Sequence, residues 1–156
     1  MNYVREYWRK IESGEIVTSR RVKAVYGRLM AEMDSPAADS PYYFDEETGE
    51  RPIIFIERFC KQSQGTLGTP LRLELFQKAF IQTLFGWLLK STGYRRFRET
   101  LFLVGRKNGK STLLAALALY MLVADYEGDN EDEAVVYTQV PSPGAAIPQG
   151  GSVALY

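Results

Sequence analysis

The chain has 156 residues, enough for one ordinary domain with a real core, and its 46% hydrophobic and 24% charged content are globular values. It contains no histidine, which excludes Ser-His-Asp and Cys-His catalysis and histidine-bound zinc within these residues. Net charge is +0, yet all 19 Lys and Arg lie within residues 1–110, while six of the 19 acids follow Lys110. Such an asymmetry marks either a part that faces a polyanion or ordinary solvated helix faces.

Residues 3–13 place Tyr3, Val4, Tyr7, Trp8 and Ile11 at helical spacing before Gly14. Ser19 is a plausible N-cap for a second helix, where Val22, Val25, Tyr26, Leu29, Met30 and Met33 form the apolar stripe. Arg20, Arg21, Lys23 and Arg28 occupy its other faces, either towards nucleic acid or towards water. Residues 35–50, with two prolines and an acidic run, read as a loop, and 53–60 as a short helix. Cys60, the single cysteine, reads as a small core residue without a disulfide partner, which fits a reducing compartment.

After the turn-rich "KQSQGTLGTP", Leu75, Phe76, Ala79, Phe80, Thr83, Leu84, Trp87 and Leu88 form a broad stripe on one helix, with Gln77 beside it. Arg95, Arg96 and Arg98 then gather around Tyr94 and Phe97. Residues 100–104 read as a buried strand, 111–124 as a buried helix, "DYEGDNEDE" as an acidic turn and 134–138 as a second strand. Strand, helix and strand in this length suit a βαβ unit with a parallel sheet. The most apolar run, 113–124, is too short to cross a bilayer, and the charged start does not resemble a signal peptide. A cytoplasmic protein without a membrane partner is the expectation.

"VGRKNGKST", residues 104–112, stands between the expected strand and helix. A phosphate cradle needs a flexible loop with inward backbone N–H groups, a helix N-terminus and a cation. Gly105 and Gly109 supply the flexible points, Lys110 the cation for the outer phosphates, Ser111 the hydroxyl for Mg²⁺, and Thr112 a neighbour of the inner phosphate. The competing reading is a basic strand-to-helix turn with a solvated lysine. The usual pattern wants glycine where this chain has Val104.

The blocks "LRLELFQKAFIQTLFGW", "GYRRFRETLFLVGRKNGKST" and "AALALYMLVADYEGD" resemble the ATPase part of a tailed-phage terminase large subunit. "YWRKIESGEIVTSRRVKAVYGRL" and "IERFC" resemble the lead-in of that family, so the likeness covers roughly residues 3–138. In that family the first glycine of the loop is commonly replaced, and a basic residue starts the loop. The resemblance implies ATP and Mg²⁺ bound by Gln77, Gly105, Arg106, Lys107, Asn108, Gly109, Lys110, Ser111 and Thr112. Lys110 and Arg106 would be catalytic, Arg106 by stabilising γ-phosphate charge. Ser111 would hold the metal, and Gln77 would pair with the adenine edge; a surface helix glutamine is its other reading.

The implied fold is α/β: a partial P-loop NTPase with a parallel-sheet core, 100–138, preceded by a helical region, 1–99, and followed by a Pro/Gly-rich tail, 139–156. The implied function is the ATP-binding part of the motor that packages double-stranded viral DNA, with portal protein and small terminase as partners. A homo-oligomeric ring would form at full length. The family's Asp-Glu strand and nuclease domain do not follow in these residues, so the expectation is a truncated chain, with little ATP turnover of its own. The rivals are another P-loop helicase or AAA-type ATPase, and a non-enzymatic nucleic-acid-binding fragment using residues 90–110.

Overall fold

Helix α1 (Tyr3–Glu12) starts where the Asn2 side chain accepts the Arg5 N–H at 2.9 Å. The computed structural model describes residues 1–62, 68–105, 108–123, 139–140 and 154–155. Val4, Tyr7 and Ile11 form the buried face of α1. Helix α2 (Arg20–Asp34) starts at the cap its sequence predicts, Ser19 accepting the Val22 N–H at 3.2 Å. It buries Tyr26, Leu29 and Met30, of which Tyr26 and Met30 cluster with α1, the Tyr7 and Tyr26 rings lying edge to face at 4.9 Å. Val25 of the expected stripe is instead 55% exposed, and Arg20, Arg21, Lys23 and Arg28 are all exposed.

Residues 35–50 are not one loop. Strand β1 (Tyr42–Phe44) lies within them, and helix α3 (Glu46–Phe59) begins at Asp45, whose side chain accepts the Thr48 N–H. The acids that suggested a loop are the cap and first turn of this helix, where its dipole favours negative charge.

Helix α4 (Leu75–Gly86) is also shorter than its apolar stripe, because Trp87 and Leu88 belong to strand β2 (Trp87–Leu89). Strands β1 and β2 pair antiparallel, Tyr42 opposite Leu89 and Phe44 opposite Trp87. The reason is steric. A Cβ at Gly86 would lie 2.8 Å from both the Asp45 carbonyl oxygen and the Phe44 ring, so only glycine lets the chain turn against β1 there. Gly86 also accepts the Asp45 N–H at 2.7 Å.

Beyond β2 the Arg96 N–H donates to the Trp87 carbonyl oxygen, and the Arg96 guanidinium pairs with Glu32 of α2. The same guanidinium stacks over Tyr42 at 4.5 Å and Trp87 at 5.1 Å, while Arg95 stacks over Phe85 at 4.7 Å. Two of the three clustered arginines therefore fasten this turn to the core.

Two apolar clusters meet at α4. One joins Val4, Tyr7, Ile11, Tyr26 and Met30 to Ala79; the other joins Ile53 and Ile56 of α3 to Ile81, Phe85 and, from helix α5 (Lys110–Val123), Leu113 and Tyr120. Gln82, fully buried on α4, accepts the Tyr3 and Val4 N–H groups at 2.7 and 3.2 Å and donates to the Met1 carbonyl oxygen at 2.8 Å. It thereby holds the start of α1 to the middle of α4.

The expected strand at 100–104 is absent. These residues have no ladder partner among the described residues, and Leu101 and Leu103 are 80% and 78% exposed. Phe102 and Val104 are half-buried, and Phe102 stacks on Phe80 at 4.3 Å. Likewise α5 buries only Leu113, Ala116, Leu117 and Tyr120, leaving Leu114 and Leu119 exposed. The chain divides into two compact units, Met1–Tyr120 and Met121–Tyr156. In the second, Gln139–Val140 (β3) and Ala154–Leu155 (β4) pair antiparallel within the stretch expected as a loop or tail. The expected strand at 134–138 lies outside the described residues. The architecture is thus mixed helix and strand, and both described sheets are two-stranded and antiparallel rather than parallel.

Candidate phosphate-binding site

The Gly-Lys-Ser segment opens α5 as its sequence predicts. Gly109 has φ +67°, a conformation that favours glycine, and its carbonyl oxygen accepts the Leu113 N–H at 2.8 Å to begin the helix. Lys110 and Ser111 are the first two residues of α5, and both are exposed. Ahead of them, the Asn108 side chain donates to the Gly105 carbonyl oxygen at 3.2 Å and closes the loop on itself. Arg106 and Lys107 lie outside the described residues.

Gln77 is neither a surface residue nor idle. It is 7% exposed in the first turn of α4, where its Oε1 accepts the Glu74 N–H at 2.9 Å. The Glu74 side chain in turn accepts the Gln77 backbone N–H, forming a reciprocal capping box. The Gln77 Nε2 donates to the Asn108 carbonyl oxygen at 3.3 Å. A residue 31 positions upstream is thereby bonded to the backbone of the glycine-lysine loop.

These groups border a cavity of about 350 Å³. Leu71, Arg72, Leu73, Phe76 and Gln77 form one wall; Asn108, Gly109, Thr112 and Leu113 form the other. The volume is at the small end of ligand sites, and the walls present polar and apolar surface in about equal measure, with Gln62, Arg72 and Glu74 among the polar residues. The structure therefore brings together four residues expected at the site, namely Gln77, Asn108, Gly109 and Thr112. Lys110, Ser111 and Gly105 stand beside the cavity in sequence without lining it. No cluster of three or more His, Cys, Asp or Glu side chains placed to hold a metal occurs among the described residues.

Sequence reasoning missed the 71–74 wall and what holds it. Glu57 of α3 accepts the Leu73 N–H at 3.0 Å and pairs with Lys78 of α4, also at 3.0 Å. The signal was partly legible, because Glu74 and Gln77 stand at capping-box spacing before an apolar helix. Nothing in the sequence connects Glu57 to Leu73, 16 residues on.

Residues 75–139 match the family described as "Terminase large subunit, ATPase domain". This stretch, which holds α4, Gln77 and the Gly-Lys-Ser loop, is similar to a terminase ATPase domain. Over 95 residues the chain is 40% identical to the terminase large subunit of Enterobacteria phage HK97. That likeness covers 60% of the chain but only 16% of the phage protein. No solved structure matches the chain. No described helix is long and apolar enough to cross a membrane.

Proposed function

We propose that the cavity and the start of α5 form the ATP site of a DNA-packaging ATPase, a terminase large subunit of which this chain supplies the first part. The observation that carries the reading is the bond from Gln77 to the Asn108 backbone, beside a cavity that runs to the mouth of α5. A base in the cavity would leave its phosphates facing that helix N-terminus, where backbone N–H groups and the dipole favour anions.

In this reading the Gln77 amide, with lone pair and N–H to spare beyond its two internal bonds, meets the adenine edge. Gly105, Arg106, Lys107, Asn108 and Gly109 wrap the phosphates, Lys110 neutralises the outer ones, and Thr112 lies near the inner one. Ser111 is the residue to hold Mg²⁺, which would supply positive charge between the outer phosphates. Arg106 adds charge at the γ-phosphate during hydrolysis.

Double-stranded viral DNA would be the cargo, gripped mainly through its phosphates, with portal protein and small terminase as partners in the host cytoplasm. The full-length protein would work as a ring and also cut DNA. Titration with ATP·Mg²⁺ tests the core of this proposal. Saturable binding is expected, weakened about tenfold or more in Lys110→Ala by loss of a charge-assisted contact. Binding that is absent, or indifferent to that substitution, overturns it.

A further inference from the structure

Glu57 belongs to the "IERFC" block and not to the glycine-lysine loop, yet it holds the wall of the cavity. Its Oε1 accepts the Leu73 N–H at 3.0 Å, and its two oxygens meet the Lys78 ammonium at 3.0 and 3.1 Å. Both side chains are more than four-fifths buried, at 18% and 19% exposure, so the pair is screened far less than a surface one. Leu73 and Gln77 both line the cavity, and Lys78 follows Gln77 in the first turn of α4. A single carboxylate thus ties the extended wall and the adjoining helical turn to α3.

We propose that Glu57 is a positioning residue for the nucleotide base, an inference that rests on the ATP site described above. It touches neither base nor phosphate. It holds the Leu73 backbone and, through Lys78, sets the turn from which Gln77 reaches both the base and the Asn108 carbonyl. Because α5 packs on α3 and α4 through separate apolar contacts, the phosphate half of the site is tied to this carboxylate only through the single Gln77–Asn108 bond. The base half is tied to it directly, through Leu73 and Lys78. Loss of Glu57 should therefore weaken ligands that carry a base and spare those that are phosphate alone.

The experiment compares the affinities of the parent chain and its variants for ATP·Mg²⁺ and for inorganic tripolyphosphate·Mg²⁺, with thermal melting as a control on folding. In Glu57→Ala, ATP affinity should fall about tenfold, as expected for a lost charge-assisted hydrogen bond, and tripolyphosphate affinity should stay within about twofold. Glu57→Gln keeps a neutral oxygen for the Leu73 N–H, so its loss should be about threefold. Equal weakening of both ligands, or of neither, overturns the positioning role while leaving the ATP site in place. Where Glu57→Ala does not fold, Glu57→Gln decides: an unchanged ratio of the two affinities overturns it. A parent chain that binds neither ligand overturns the ATP site, and this proposal with it.

Discussion

Gln77 and Gln82 sit five residues apart on one helix, and each uses its amide to join distant parts of the chain. Gln82 faces the N-terminus of α1, where it satisfies the Tyr3 and Val4 N–H groups. In Gln82→Leu these donors lose their acceptor without gaining access to water, at a cost of about 2–3 kcal/mol. Urea denaturation should register that loss. Gln77 faces the loop before α5 and also accepts the Glu74 N–H, so Gln77→Ala should weaken ATP binding about tenfold and cost about 1–2 kcal/mol of stability through the lost cap. The family resemblance of the sequence singles out Gln77. Gln82 carries no signal of its own, because its importance lies in a bond to residues nearly 80 positions earlier.

Among the elements, those with local signals were legible and those with distant partners were not. Helices α1 and α2 follow from apolar spacing and, for α2, the Ser19 cap, all within one helical turn of each other. The end of α4 and the start of α3 depend on how closely the two helices approach. A Cβ at Gly49 would lie 2.8 Å from Gln82 Cγ, 2.9 Å from the Gln82 carbonyl oxygen and 3.0 Å from Gly86 Cα. Two of those atoms are backbone and cannot rotate away. Gly49→Ala should therefore destabilise the chain by about 1–3 kcal/mol, although alanine is the better helix former by about 1 kcal/mol. Helix α5 offers a contrast between neighbours. Leu113→Ala, at 1% exposure, should cost about 2–5 kcal/mol, whereas Leu114→Gln, at 52%, should stay within about 0.5 kcal/mol. Denaturant midpoints of the two variants would measure the difference, and with it which face of this apolar helix is covered.

At the scale of the whole molecule, the absence of histidine leaves no imidazole to titrate near neutrality, and the pH response moves to the alkaline side. The Met1 ammonium is raised above 8.0 by hydrogen bonds to Glu50 and Glu46. A raised pKa in the folded state means stability present below pH 8.0 and lost as pH rises through the folded value. This group is 59% exposed, so water screens the contribution to at most about 1 kcal/mol. The Tyr26 phenol is pushed well above 10.0, first by burial and then by nearby Tyr7. This phenol ionises near pH 10 only in the unfolded chain, so its contribution to stability should fall there; Tyr26→Phe should flatten that part of the melting-temperature profile. The sequence by itself determined the first two helices, the glycine-lysine loop that opens α5, and the mixed helix-and-strand class. Tertiary structure alone decided that Gln77 and Gln82 are buried, that α4 stops at Gly86, that β1 meets β2, and that residues 101–105 lie without a ladder partner among the described residues. The division has one physical cause. Caps, turns and helical stripes are set by side chains a few residues apart, while burial and strand pairing depend on which distant segment the folded chain brings alongside.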